Sequence, residues 1–508
     1  SKYSEIKKFS SLLGFDLNSI KNLELISDLE TSIKLILNNR FKITEKSFSV
    51  NGKINNLNLE HKEYKNIKKF FPSYSSKVTL KDTEISFNHG KNLKLLGLIK
   101  FDNKFEDFLL NFKDLSDWKK NIFSIEGKVN LYDLFIKIPQ LNYYKDQNIK
   151  SEISFYIKNN KSGYDIKKLK YHEEKTKINL NGLKLNKKFE IKDIKNIDVV
   201  TYKKNIKNND FNILRSNTKN IVIKGELLDA EPLLKSLYKK GDKKTLSKDF
   251  NSEIKVNFKK TITGTNDDVT NFSMIASIKK GSYSKLSLKG NFSENEIVEM
   301  SIYQVDSNKK TLQVISDRAR PFVKNFDFIK GFEGGKLEYD SVISKEKTNS
   351  NLVIDNFKVS KVPALAQLLT LASLQGIADT LSGEGIRFET FEMKSNSKGN
   401  VMNIEDALAI GPAVSILLEG YVDKGKIVSL RGTLVPATKL NAIIASIPVV
   451  GDILVGKKTG EGVVGVSFKM KGHPKDIKTT VNPIKTLTPR FIVRAVEKMK
   501  KKKKEDTK

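Results

Sequence analysis

The segment ISFYIKNNKSGYDI, residues 153–166, decides the fold class of this chain. Apolar Ile153, Phe155 and Ile157 alternate with their neighbours, which is the period-two pattern of a strand with one buried face. The turn-rich NNKSG follows, and the alternation then resumes, as in a β-hairpin. The segment therefore predicts two antiparallel strands joined by a tight turn.

The same alternation recurs from about residue 40 to residue 350, within a predicted β-groove region that covers residues 1–350. Phe272, Met274, Ala276 and Ile278 precede a turn at Gly281, for example. We predict a mainly β protein with a few short helices, built on an elongated, curved antiparallel sheet that forms a repeating groove. About 25 strands at about 4.8 Å each would make a sheet of roughly 120 Å. The apolar faces have two possible covers: a second sheet, as in a sandwich, or a guest hydrocarbon in an open trough.

Short helical segments interrupt the strands in a loose repeat. A glycine step leads into an apolar helix in KGELLDAEPLLKSLY and RGTLVPATKLNAII. Pro232 and Pro363 stand early in two such helices, where the fixed φ of proline suits the first turn. The spacing is irregular, so the pattern fits either a degenerate architectural repeat or occasional helical connections.

Residues 351–490 form a predicted C-terminal module, richer in Ala, Leu, Gly and Val. Apolar residues recur at helical spacing after Pro363 and again after Pro436, and a final strand alternates from Val464 to Met470. Such stripes suit core packing as well as lipid contact. The candidate lipid-contact residues are Leu365, Leu368, Leu369, Ala372, Ile377, Ile443, Ile444, Ile447, Val464, Val466 and Phe468.

The net charge of +32 first indicates an anionic partner. The lysines are dispersed along the strands, however, which is typical of a solvated surface, so we expect no nucleic-acid binding. Residues 491–508 form a basic amphipathic or disordered tail. Its candidate residues for contact with an anionic membrane surface are Lys498, Lys500, Lys501, Lys502, Lys503 and Lys504.

Cysteine is absent, which excludes disulfides and thiolate chemistry. The chain opens SKYSEIKKF without an initiator Met or a signal peptide, so we expect an N-terminal truncation that removed an export signal or a membrane anchor. The most apolar stretches, 362–381 and 441–456, are interrupted by polar residues or proline. They therefore indicate buried or interfacial helices rather than spans.

The sequence contains no catalytic constellation. Its four histidines lack metal-ligand spacing, and His172 beside Glu173 and Glu174 favours a solvated turn over a metal site. The two GEG triplets lack the residues of a phosphate loop or a dinucleotide fingerprint. We therefore expect a protein that is not an enzyme and has no cofactor and no metal.

Several motifs in order resemble one family. They are FKVxxxPALAxLLxLASLxGIxDxLxGEGIRF, GPA, RGTLVPAxxLNxxxxxIPxxGDxLxG, EGxxxVxxxxxG and VNPxxxLxPxF, between residues 357 and 491. This order resembles the C-terminal region of the AsmA-like family, in its YhdP-type branch. LLDAEPLLKSL at 227–237 resembles the central region less sharply. His473, Lys475 and Ile477 depart from the family pattern in a turn, and Arg490 stands where glycine is common.

The resemblance implies an envelope protein of a Gram-negative type bacterium, anchored in the inner membrane and extending through the periplasm. It implies a repeating β-groove like that of bridge-like lipid transfer proteins. The implied role is to move phospholipid between the inner and outer membranes and so support outer-membrane integrity, with acyl chains and the two membranes as partners. A structural or assembly role with other envelope proteins is the alternative, and nucleic-acid binding ranks behind both.

Overall fold

The computed structural model describes residues 20–62, 67–116, 122–237, 246–306, 308–323, 331–372, 374–423, 425–437, 465–474 and 476–484. Within these ranges the chain is built mainly from β-strands, most of which join one sheet. The strands are β1 (Ile20–Leu37), β2 (Ile43–His61), β3 (Lys77–Asn88), β4 (Asn92–Lys100), β5 (Phe105–Lys113), β6 (Phe123–Asn130), β7 (Ile136–Ile138), β8 (Tyr143–Lys145), β9 (Glu152–Asn160), β10 (Gly163–Glu173), β11 (Thr176–Asn186), β12 (Ile191–Lys203), β13 (Ile206–Arg215), β14 (Asn220–Asp229), β15 (Ser252–Ile262), β16 (Val269–Lys279), β17 (Ser282–Asn291), β18 (Ile297–Gln304), β19 (Lys309–Ser316), β20 (Gly331–Ser344), β21 (Thr348–Ser360), β22 (Ile386–Lys398), β23 (Val401–Ile410), β24 (Val414–Asp423), β25 (Ile427–Pro436), β26 (Gly465–His473) and β27 (Asp476–Ile484).

The helices of the described residues are short. They are α1 (Glu231–Leu237), α2 (Arg320–Val323), α3 (Pro363–Leu371) and α4 (Gln375–Ser382), with 3-10 turns at Ile67–Lys69 and Pro139–Leu141. Pro232 and Pro363 lie in the first turns of α1 and α3, as predicted. The prediction of a mainly β protein with few short helices and a large curved sheet is confirmed. The sheet is open, which the sequence left undecided.

One detail of the predicted sheet is wrong, because the sheet is mixed rather than purely antiparallel. β14 and β15 pair in parallel, with Ile221 opposite Ile254. The segment between them contains α1. A helical crossover brings the chain back to start its next strand in the same direction, whereas a tight turn reverses it. The hairpin predicted over 153–166 is confirmed as β9 and β10.

The chain divides into two compact units. Unit 1 is Ser1–Leu233, Asp242–Ile262 and Ser277–Ser282, and unit 2 is Leu234–Gly241, Thr263–Ala276 and Tyr283–Lys508. The predicted module boundary at residue 350 falls inside β21, which pairs with β20 and with β22. The separate module 351–490 stays a prediction.

Unit 1 has a core on one face of its sheet. Phe108, Val129 and Tyr171 point from the sheet into this core. A segment over residues 131–149, which contains β7 and β8, lies on the same face and contributes Tyr143. The apolar side of the alternating strands is therefore partly covered by the chain itself.

Unit 2 has an equivalent core, covered by α2, α3 and α4. The sequence pattern predicted one helix after Pro363, but the chain forms two, with a break at Ala372. The break lets both helices place leucines in one cluster, because Leu369 and Leu381 are both fully buried there. Gly383 ends α4, and β22 follows at Ile386.

The sheet of unit 2 curves around these helices. α3 contacts β27, and α4, which packs on α3, contacts β21 and β22. β21 and β27 are six strand steps apart, about 29 Å in a flat sheet. α3 has nine residues and is only about 14 Å long. A sheet that reaches both sides of such a short helix pair must bend strongly.

Candidate functional site

The strand register of unit 1 aligns one apolar residue or glycine from every strand of its sheet. We call this line of directly paired residues the first apolar row. Its members, from β1 to β15 without β7 and β8, are Leu29, Gly52, Ile85, Leu95, Leu110, Gly127, Phe155, Leu169, Leu180, Ile197, Ile213, Ile223 and Val256. Paired residues share a face, so the row runs across the strands for about 58 Å.

Most of the first apolar row is accessible to solvent. Leu95, Leu110 and Leu169 are half-buried, and Leu29 is 40% exposed. Val129, on the neighbouring line of the same face, is buried together with residues of the segment 131–149. The row members that pack against this core while staying partly exposed are Leu95, Leu110, Phe155, Leu169 and Ile197. The sheet thus keeps an apolar, partly open track beside its core.

Gly127 shapes this track. A Cβ on Gly127 would lie 2.5 Å from the Phe155 ring and 2.8 Å from Leu110 Cδ2. Both distances are shorter than any ordinary van der Waals contact. Phe155 can therefore lie across the row only because residue 127 has no side chain.

Polar groups fix the segment 131–149 on the apolar face. Lys145 is almost fully buried and its Nζ donates to the carbonyl oxygens of Leu131, Tyr132 and Ile149 at 2.7, 3.2 and 3.0 Å. Burial lowers the pKa of Lys145 to about 8. The ammonium group has three N–H donors, and its three carbonyl acceptors lie at the two ends of this segment, so Lys145 holds these ends together.

A second buried group lies beside Lys145 in sequence. The hydroxyls of Tyr143 and Tyr171 are 2.7 Å apart, and Tyr143 also donates to the Glu173 carboxylate. Burial, followed by the charge and hydrogen bonds of these partners, raises the pKa of Tyr143, so its phenol stays protonated. These hydrogen bonds connect β8 to β10. The Glu173 carboxylate is already engaged as the acceptor of the Tyr143 hydroxyl, so we assign this group of residues a structural role.

Unit 2 contains a second apolar row of the same kind. Its members, one from each strand between β17 and β27, are Leu288, Met300, Val314, Tyr339, Leu352, Met393, Ala407, Leu418, Gly432, Phe468 and Val481. The row runs across the strands for about 48 Å. Tyr339, Leu352, Met393, Leu418 and Val481 are half-buried, so this row is also partly open.

The predicted lipid-contact residues divide into three groups. Leu368 and Leu369 are buried in the core of unit 2, and Leu365, Ala372 and Ile377 pack against it. Val466 and Phe468 are both buried in the same core, and Phe468 is also a member of the second apolar row. Lipid contact by these residues stays a prediction. Residues predicted for lipid or membrane contact that lie outside the described ranges are Ile443, Ile444, Ile447, Val464, Lys498, Lys500, Lys501, Lys502, Lys503 and Lys504.

Sequence reasoning missed most of the members of the two rows. The period-two alternation identified which residues of a strand share a face, and this signal is present at Phe155 and Leu169. It carries no information on which residues of neighbouring strands stand opposite each other. That register is what turns separate apolar faces into a continuous row.

The described residues offer neither a metal site nor a membrane-spanning helix. They contain no group of three or more His, Asp or Glu side chains arranged to hold a metal ion. Nor do they include a helix long and apolar enough to cross a bilayer.

No protein-family model, curated protein or solved structure matches this chain.

Proposed function

We propose that this protein is a non-enzymatic lipid-transfer conduit whose two apolar rows each hold acyl chains of phospholipids. The observation that carries the proposal is the unbroken sequence of apolar residues and glycines along each row, half-buried at most positions. A binding site for small polar molecules does not require an open row of apolar residues tens of ångströms long. Isolated exposed apolar residues are common on proteins, but contiguous lines of them mark binding surfaces.

The length of a row and the free energy of burying an acyl chain on it are suited to a lipid that moves along the sheet. Each leaflet of a bilayer contributes about 15 Å of hydrocarbon, so a row of about 48 Å or 58 Å is long enough for a whole acyl chain. Burying one CH₂ group stabilises the bound state by about 0.8 kcal/mol. A half-open row buries only part of each CH₂, which allows a chain to be held and still move along the sheet.

The motif order at residues 357–491 supports the setting of this activity. As an AsmA-like protein of the YhdP-type branch, the chain would act in the periplasm, anchored in the inner membrane. It would move phospholipid between the inner and outer membranes and maintain the outer-membrane barrier. Its partners would be acyl chains, both membranes and other envelope proteins.

A structural role in the envelope, such as assembly of outer-membrane components, is the second proposal. It is favoured by β1, an 18-residue strand that pairs with β2 alone among the described strands. β1 exposes Ile33 and Leu35. A long apolar edge strand is a template for a strand of a partner protein.

Polar substitutions in the first apolar row should weaken lipid binding without unfolding the protein. We expect the double variant L95N/L169N to lose about tenfold or more in affinity for a fluorescent phosphatidylglycerol analogue, because each change removes 1.5–3 kcal/mol of possible apolar burial. The two positions are four strand steps apart, so a bound chain cannot easily avoid both. Fluorescence titration gives the affinity, and thermal unfolding checks the fold.

The matched control is the double variant L96N/L214N. Leu96 and Leu214 are 41% and 45% exposed, and each lies on the face opposite the row. The chemical change is the same, so the control should keep its affinity within about twofold. Equal losses in both double variants, or no loss in either, would rule out the first apolar row as the lipid site.

A further inference from the structure

The opposite face of the sheet behind the second apolar row contains a cavity of about 340 Å³. The side chains around it alternate with Leu418, Gly432 and Phe468 along β24, β25 and β26, and therefore point away from the row. They are those of Leu417, Glu419, Arg431, Thr433, Ser467, Lys469, Thr480 and Asn482. Leu418, Gly432 and Phe468 of the row also line the cavity, so the cavity and the row share these three strands while the side chains named above lie on the opposite face.

Two cations face each other across neighbouring strands in this cavity. Arg431 on β25 is directly opposite Lys469 on β26. Side chains in such a pair are about 5 Å apart at Cβ, and like charges in this arrangement destabilise a sheet. Lys471 and Lys478, directly opposite each other on the next line of the same face, add to the positive potential. An anion between Arg431 and Lys469 would relieve this repulsion.

Glu419 offsets only part of this charge. Its Oε1 accepts hydrogen bonds from Nε and Nη2 of Arg431, both at 2.8 Å. The guanidinium group has five N–H donors, so three remain for another acceptor. Glu419 therefore orients Arg431 while leaving the cavity with a net positive charge.

Neutral donors complete the lining. Thr433, Thr480 and Asn482 place two hydroxyls and one amide on the same face as the cations. Guanidinium, ammonium, hydroxyl and amide groups together are the donors that bind phosphate oxygens in proteins. The volume is ample for a phosphate group with a small substituent.

We propose that this cavity binds a phosphate group, held by Arg431 and Lys469 and by the polar side chains of β25 and β27. The phosphate is that of a phospholipid headgroup or free inorganic phosphate. The site stands on charge and hydrogen-bond donors alone, so it does not depend on the conduit proposed for the apolar rows.

Isothermal titration calorimetry of the full chain with inorganic phosphate and with glycerophosphoglycerol tests this site. We expect the single variant K469Q and the double variant R431Q/K469Q to lose affinity for the bound phosphate compound, the double variant by about tenfold or more. The matched control K394Q/K398Q removes two exposed lysines of β22 and should stay within twofold of the unsubstituted protein. Thermal unfolding shows whether each variant is folded.

Comparing the two ligands distinguishes a phospholipid headgroup from free inorganic phosphate as the source of the bound phosphate. Binding of both supports a site for lipid headgroups, and binding of inorganic phosphate alone supports a site for the free ion. The proposal is overturned if neither binds, or if the cavity variants and K394Q/K398Q lose affinity equally. Loss of acyl-chain binding in L95N/L169N with intact phosphate binding separates this result from that of the conduit.

Discussion

Replacing Leu369 with aspartate should unfold unit 2. Leu369 lies on α3 and has no exposed surface, in a cluster that also contains Leu381, Phe388 and Leu434. Removing a buried leucine costs about 3–5 kcal/mol, and an unpaired carboxylate in the same place adds a further penalty. The expected destabilisation of about 5 kcal/mol or more is comparable to the whole stability of a domain.

Leu371→Asp is the control for this change. Leu371 lies two residues further along the same helix and is 44% exposed. Because the carboxylate stays in water there, we expect a change within about 0.5 kcal/mol. Chemical denaturation followed by circular dichroism measures both variants. A folded L369D protein that had lost only lipid binding would instead make α3 a lipid-contact element.

Replacing Asp267 with asparagine should cost unit 2 about 2–4 kcal/mol. The Asp267 carboxylate is 5% exposed and accepts hydrogen bonds from Arg318 Nη1 at 2.9 Å and from Arg320 Nη2 at 2.7 Å. Breaking a buried ion pair leaves the remaining charges without compensation. Arg318 keeps Glu296 as a partner, which limits the loss. Denaturant unfolding measures the change, and a D267N protein as stable as the unsubstituted one would contradict this account.

The same carboxylate should make stability depend on pH. Burial alone would raise the pKa of Asp267, but hydrogen bonds and charge from Arg320 and Arg318 outweigh it and hold the pKa below its ordinary value. The native state then binds fewer protons than the unfolded state in acid. The contribution of Asp267 is present above its unfolded pKa near 4 and is lost as the pH falls through the lower native value. In D267N this part of the acid dependence should disappear.

The fold class could be predicted from the sequence because one signal dominates it. The alternation of Ile153, Phe155 and Ile157 indicates a strand with one apolar face, and the turn residues NNKSG indicate the hairpin. The parallel pair β14–β15 was not predictable from alternation, which is the same for either strand direction. It depends on the crossover through α1.

The candidate site was only partly predictable for a related reason. Helical spacing correctly grouped Leu368 and Leu369 on one face of a helix. Whether that face meets a sheet or a lipid depends on where α3 packs, and the spacing is the same in both cases. The sequence likewise does not distinguish Leu95 and Leu169 from other apolar residues of the strands. They became candidates only when the register placed them on one row.

Native mass spectrometry of the protein, purified from a bacterial host without added lipid, shows whether the apolar rows hold phospholipid. We expect additional mass that matches phospholipids on the unsubstituted protein and on L96N/L214N. We expect much reduced phospholipid occupancy on L95N/L169N. A protein that carries no phospholipid under these conditions, and does not take one up from vesicles of phosphatidylethanolamine and phosphatidylglycerol, would contradict the proposal that the apolar rows hold acyl chains.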